Sequence, residues 1–231
     1  MTRSRHQPGV SRNLLTLLVL VLAGFIVMRP SLAGEFALSK QILTKIEQQY
    51  GDYAARRLDS WRNLINRNQH LDERAKLELV NAFFNSLKFV NDMDHWGQED
   101  YWATPLQMLA SNGGDCEDFS IAKYFTLREL GIPAEKLRLT YVKALKLDQA
   151  HMVLTYYSTP DAVPLVLDNL INEIRSATER EDLLPVYSFN GDGLWLAKSR
   201  GMEQRVGRSE RLSRWQEVIA RIDEEQLPLA R

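Results

Sequence analysis

The chemistry-bearing residues of this chain gather around its single cysteine. Cys116 sits in Gly113-Gly114-Asp115-Cys116-Glu117-Asp118-Phe119, and an apolar-periodic run from Phe119 to Leu127 follows at helical spacing. The pair of glycines reads as a tight turn that delivers Cys116 to a helix N-terminus. Unpaired N–H groups and the helix dipole there favour a thiolate, the nucleophilic form of cysteine. A buried structural cysteine is the alternative, but three acidic neighbours and two glycines are odd company for a core thiol.

A cysteine nucleophile needs a base and a group that orients the base. Of the four histidines, His6 lies in an N-terminal basic segment, His70 in the polar stretch Asn68-Gln69-His70, and His95 in an acidic loop. His151 differs, because it opens the strand-like run Met152 to Tyr157, where a rigid backbone can aim an imidazole. Asp168 ends a second apolar run, Pro164 to Leu167. Antiparallel pairing around a turn at Ser158-Thr159-Pro160-Asp161 would bring Asp168 alongside His151. From spacing alone, a core histidine and a strand-end aspartate fit equally well.

Asp115, Glu117 and Asp118 pose a conflict. Carboxylates beside a thiol raise its pKa by like-charge repulsion. A hard cation on those oxygens would remove the conflict, and Ca²⁺ accepts carboxylates in flexible geometry. A solvated or helix-capping acidic cluster is the competing reading, and no EF-hand loop is present.

The surrounding sequence must position these groups. Leu38, Ile42, Ile46 and Tyr50 recur at four-residue spacing, and Gly51-Asp52 breaks the pattern. Leu58, Trp61, Leu64 and Ile65 follow. From Leu71-Asp72 a long run carries the stripe Ala75, Leu79, Ala82, Phe83, Leu87 and Val90. Asn91 to Tyr101 reads as an acidic loop, and Thr104-Pro105 as an N-cap with proline at the first helical position. After the Cys116 helix, Gly131-Ile132-Pro133 stops the turn. Extended runs then cover Leu137 to Leu147, Met152 to Tyr157, Leu165 to Leu167, and Val186 to Leu196 around Asn190-Gly191-Asp192-Gly193. Arg208 to Gln226 reads as a solvated amphipathic helix. The class is α+β: N-terminal helices and the Cys-bearing helix packed on an antiparallel sheet.

The chain ends bound the setting. Arg3, Arg5 and Arg12 precede an apolar run from Leu14 to Met28, and Ser31-Leu32-Ala33 fits a cleavage site. Residues 1–33 therefore read as a signal peptide, with an uncleaved N-terminal anchor as the alternative, and 34–231 as one exported domain. The segment's four arginines and lack of acids leave 25 basic against 30 acidic side chains beyond it, a net of −5. Nothing in that balance suggests nucleic acid. One cysteine allows no internal disulfide, so a thiol kept in an oxidising compartment argues for a role.

Taken together, the motifs carry a resemblance. Gly-Asp-Cys-Glu-Asp-Phe, Leu130-Gly131-Ile132-Pro133, His-Met-Val-Leu from His151, and Val-Leu-Asp-Asn around Asp168 resemble the papain/transglutaminase-like Cys-His-Asp core. Within it, the chain is similar to the bacterial transglutaminase-like cysteine proteinases over roughly residues 35–225, and Trp102-Ala103-Thr104-Pro105 fits that group too. The resemblance implies Cys116 as nucleophile, His151 as general base and acid, and Asp168 as the orienting carboxylate. It implies a calcium site with Asp115, Glu117 and Asp118 as its ligands. It further implies a periplasmic endopeptidase that cuts a large surface adhesin near its N-terminus to disperse biofilm. The implied regulator is the periplasmic domain of an inner-membrane cyclic-di-GMP receptor. A transglutaminase or amidase with the same triad, and a non-enzymatic binding module on the same scaffold, stand as rival readings. The Cys116 backbone N–H is a candidate oxyanion donor, and no second donor is legible.

Overall fold

Three helices open the fold, punctuated where the sequence is. A computed structural model of the protein describes residues 35–199 and 202–229; the segment read as a signal peptide lies outside them. Helix α1 (Lys40–Tyr50) is capped by the Ser39 hydroxyl, which accepts from the Ile42 N–H, and ends at Gly51 with φ 81°. Helix α2 (Asp52–Arg67) buries Leu58, Trp61, Leu64 and Ile65, as their spacing anticipates. Helix α3 (Glu73–Asn85) starts under an Asp72 cap.

Helix α3 corrects the sequence reading. Its buried face is Leu77, Val80 and Phe84 with Lys76 and Asn81, whereas Ala75, Leu79 and Phe83 are only half-buried and Ala82 is exposed. Both sets have helical spacing, so periodicity alone could not choose between two apolar faces. The helix also stops at Asn85. Beyond it, β1 (Lys88–Phe89) is extended, and the supposed loop contains a short helix, α4 (Asp92–Trp96).

Helix α5 (Pro105–Ser111) begins with the anticipated Thr104 cap, a full capping box closed by Gln107. Strand β2 (Gly113–Gly114) then pairs parallel with β1. Helix α6 (Cys116–Glu129) follows. Every residue from Asp118 to Leu127 is buried, the mark of a helix enclosed on all sides. Trp61 of α2 donates its indole N–H to Thr126 Oγ1 at 2.7 Å, and Ser120 Oγ donates to the Met152 carbonyl at 3.1 Å. These bonds fix α6 between the helical layer and the sheet. Gly131, at φ 86°, ends it, and the Ile132 N–H returns to the Leu127 carbonyl.

The remaining elements form one antiparallel sheet: β3 (Leu137–Ala144), β4 (Gln149–Tyr156), β5 (Leu165–Leu167), β6 (Arg175–Ser176), β7 (Leu183–Phe189), β8 (Leu194–Ser199) and β9 (Met202–Gly207). The strand order is β6-β5-β4-β3-β7-β8-β9. Strands β6 and β9 were not anticipated; β6 is two residues long and β9 is polar, so neither carries an apolar signature. Helix α7 (Ser213–Glu224) closes the chain, and it is not merely solvated. Its Trp215 stacks on Phe125 of α6 with ring centroids 5.6 Å apart and planes at 9°, and Val218 and Ile222 are buried beside it. Truncating a tryptophan buried in this way costs about 3–5 kcal/mol.

Candidate active site

Cys116 is the first residue of α6, with Asp115 as its N-cap. The glycines before it do not form the turn expected of them. Asn112 takes the left-handed conformation, with φ 65°, while Gly113 and Gly114 are extended in β2. What demands glycine is close approach. A Cβ on Gly114 would stand 2.3 Å from Asp118 Oδ2, and one on Gly113 would stand 2.8 Å from the Lys88 carbonyl oxygen. The β1–β2 pair thus presses the chain against the first turn of α6. Asp118, fully buried, locks that turn: Oδ1 accepts from the Ala103 N–H at 2.6 Å and Oδ2 from the Asp115 N–H at 3.3 Å.

An antiparallel pairing brings His151 to Asp168. Strands β4 and β5 pair antiparallel with Leu154 opposite Leu167, and His151 Nε2 lies 2.8 Å from Asp168 Oδ1. The Asp168 backbone is itself held, since Asn85 at the end of α3 donates to its carbonyl at 2.8 Å. Burial alone would push the Asp168 carboxyl up. The hydrogen bond and charge of His151, the Leu170 N–H and the Arg180 guanidinium outweigh that and hold it at about 2. Asp168 is an anion at any working pH. With Nε2 committed to it, Nδ1 is the imidazole nitrogen left to exchange a proton with a thiol.

Cys116 and His151 line the same cleft, of about 500 Å³, walled by Trp102, Tyr141 and Tyr187. Tyr141 and Tyr187 stack at 5.1 Å, which makes one wall rigid. The Trp102 indole N–H is already spent on Asp100 Oδ1, at 2.9 Å, so it is not the missing oxyanion donor. Of the other histidines, His95 Nε2 pairs with Ser111 Oγ at 2.8 Å and His70 is exposed; neither lines the cleft.

The electrostatics around the sulfur reverse the simple helix-terminus expectation. Burial raises the Cys116 thiol well above its ordinary value, and Glu117 adds to this by charge and by accepting the S–H at 3.0 Å; Asp115 pushes the same way. Five carboxylates crowd the region. Single oxygens of Asp92, Asp115 and Asp118 lie within 4.8 Å of one another, as do those of Asp92, Asp100 and Glu117. Burial, with the charges of its neighbours, pushes Asp115 up to about 10 and Asp92 up to about 6. The buried Oδ1 atoms of Asp92 and Asp115 have no hydrogen-bond partner. An all-oxygen, mutually repelling set with unpartnered atoms suits a hard divalent cation.

Adjacency in the sequence groups Asp115, Glu117 and Asp118, whereas Asp92 and Asp100 lie in a separate acidic stretch. Contacts between segments distant in sequence bring them to the site, and no spacing rule reports such a contact.

A cysteine at the start of a buried helix, sharing a cleft with a histidine that pairs with an aspartate across adjacent antiparallel strands, fits the transglutaminase-like cysteine protease fold. The family model for bacterial transglutaminase-like cysteine proteinases matches residues 49–187, and the chain belongs to that family. Among solved structures, LapG of Legionella pneumophila is similar at 42% identity, covering 80% of this chain and 98% of its own, with a TM-score of 0.70. The calcium-bound form of that protein matches at 42% identity, 80% and 99% coverage and a TM-score of 0.69. The EGTA-treated form matches at 43% identity, 80% and 98% coverage and a TM-score of 0.70. No curated protein matches the chain.

Proposed function

We propose that this protein is a calcium-dependent cysteine endopeptidase of the periplasm. It cuts a large surface adhesin near its N-terminus, so releasing the adhesin and dispersing biofilm, and is held in check by the periplasmic domain of an inner-membrane cyclic-di-GMP receptor. The observation that carries the enzymatic part is the shared cleft of Cys116 and His151, with His151 fixed by Asp168 at 2.8 Å. Family membership and the similarity to LapG support the rest, together with the N-terminal segment read as an export signal.

The chemistry follows from the groups present. His151 Nδ1 takes the proton from Cys116 Sγ, and the sulfur attacks the scissile carbonyl carbon, forming a C–S bond. The developing oxyanion meets the Cys116 backbone N–H, one of the unpaired donors of the first helical turn. As the C–N bond breaks, the imidazolium returns its proton to the leaving amine. A water, deprotonated by the same imidazole, then hydrolyses the thioester and restores the thiol. Asp168 holds the tautomer throughout and stabilises the imidazolium.

Asp115 and Glu117 are the calcium ligands of this reading, with Asp118 bracing the turn and Asp92 and Asp100 completing the oxygen set. A bound calcium ion supplies positive charge that cancels the carboxylates pushing the thiol up. The solved calcium-bound and EGTA-treated forms of LapG support calcium as the ion of this reading. The test is cleavage of an N-terminal adhesin fragment by residues 34–231 in calcium and in chelator. Cleavage in calcium that is absent in chelator and in Cys116→Ala is expected. Cleavage by folded Cys116→Ala would overturn the proposal.

A further inference from the structure

The carboxylate that orients His151 is itself gripped from behind. Arg180 follows a single 3-10 turn (Ala177–Glu179) and its side chain is 2% exposed. One terminal nitrogen donates to Asp168 Oδ2 at 2.7 Å and to Asp182 Oδ2 at 2.7 Å, while Nε donates to Asp182 Oδ1 at 2.9 Å. The two oxygens of Asp168 therefore have separate partners. Oδ1 faces His151 Nε2 and the Leu170 N–H, and Oδ2 faces Arg180.

This division matters for the reaction. A carboxylate bonded at one oxygen still rotates about its Cβ–Cγ bond and carries the imidazole with it. Bonded at both, its plane is fixed, and so is the line from Oδ1 to Nε2. An arginine stays charged even when buried, so it also keeps Asp168 ionised. Asp182, itself 29% exposed, anchors the guanidinium from the far side, which fits the rule that a buried charge survives only when paired. Lys123 of α6 is a second buried cation, lowered to about 7 by burial with the Asp168 charge opposing that shift, whereas Arg180 hydrogen-bonds the carboxylate directly.

We infer that Arg180 is a positioning residue of the active site: it locks the plane of Asp168, and through Asp168 the ring of His151. The inference rests on the reading of Cys116, His151 and Asp168 as the catalytic set. Nothing in the sequence singles Arg180 out; it is one of several charged residues in Arg175 to Asp182.

The test uses Arg180→Met, Arg180→Lys and Asp168→Asn in calcium, on the N-terminal adhesin fragment of the proposed function, with kcat and KM measured separately. Loss of an orienting contact lowers kcat and leaves KM alone. Arg180→Met should lose about 30–100-fold in kcat with KM within about 2-fold, and Arg180→Lys, which keeps one charged donor, should regain about half of the logarithmic loss or more. Folding is checked by thermal melting. If Arg180→Met does not fold, Arg180→Lys alone carries the test, with kcat down by about 3–10-fold at unchanged KM. Folded Arg180 variants with wild-type kcat, beside an impaired Asp168→Asn, would overturn the role of Arg180 only. Full activity in Asp168→Asn as well would overturn the catalytic assignment beneath it.

Discussion

Asp168 offers the most quantitative test of how the site is held. It is 1% exposed and held at about 2 against an ordinary 3.8, by partners that exist only in the folded chain. That gap, at about 1.36 kcal/mol per pH unit, makes ionised Asp168 worth roughly 2.5 kcal/mol of folding free energy. The sign follows from the direction. A carboxyl held low contributes fully above about pH 4, and the contribution is lost as pH falls through about 2. The crowded carboxylates Asp92, Asp115 and Asp118 are held high and titrate in the opposite sense, so wild type alone would blur the effect. The difference between wild type and Asp168→Asn cancels them. Urea unfolding of both proteins should give a gap of about 2–3 kcal/mol at pH 5 to 7, shrinking towards zero by about pH 2. Asp182 still pairs with Arg180 in the variant, which keeps the loss below the roughly 3–5 kcal/mol of a buried charge stripped of every partner. A gap that stays flat from pH 5 to 2 would refute the electrostatic reasoning.

Three further outcomes follow from the same geometry. Calcium at about 100 times its Kd adds roughly 2.7 kcal/mol, which in a domain of this size raises Tm by about 5–10 °C; Asp115→Asn should abolish the shift in differential scanning fluorimetry. Gly114→Ala drives a methyl into Asp118, whose two oxygens hold the Ala103 and Asp115 N–H groups, so it should cost about 2–4 kcal/mol by chemical denaturation and weaken calcium binding measured calorimetrically. Glu225, raised to about 7 mainly by burial, accepts from Thr104 Oγ1 at 2.7 Å. Its protonated form favours the fold, so stability should decline as pH rises from about 4.5 through 7, and Glu225→Gln should remove that part of the decline.

Much of this site was legible because local rules govern it. Thr104-Pro105, Asp115-Cys116 and Gly131 mark helix ends through capping and left-handed backbone, which neighbouring residues decide. The apolar run Leu165 to Leu167 gave β5 its bounds, and with them the meeting of His151 and Asp168. Non-local contacts hid the rest. Asp92 and Asp100 join the acidic group, and Arg180 joins Asp168, through contacts between segments distant in sequence. The α3 face was misread because Leu77, Val80 and Phe84 share helical spacing with Ala75, Leu79 and Phe83. The helix expected to be solvated over Arg208 to Gln226 instead buries Trp215 against Phe125, a contact between elements far apart in sequence. The glycines before Cys116 were rightly conspicuous, but for the closeness of Asp118 and not for a turn.

The central claim is that Cys116 is a nucleophile activated by His151 and by charge cancellation on its carboxylate neighbours. The most direct measurement is the rate of Cys116 alkylation by iodoacetamide at neutral pH, for wild type and His151→Ala, in calcium and in chelator. The account predicts fast labelling of wild type in calcium, slowed about 10-fold or more both by chelator and by His151→Ala. Slow labelling in all four conditions, matching a buried thiol, would contradict it.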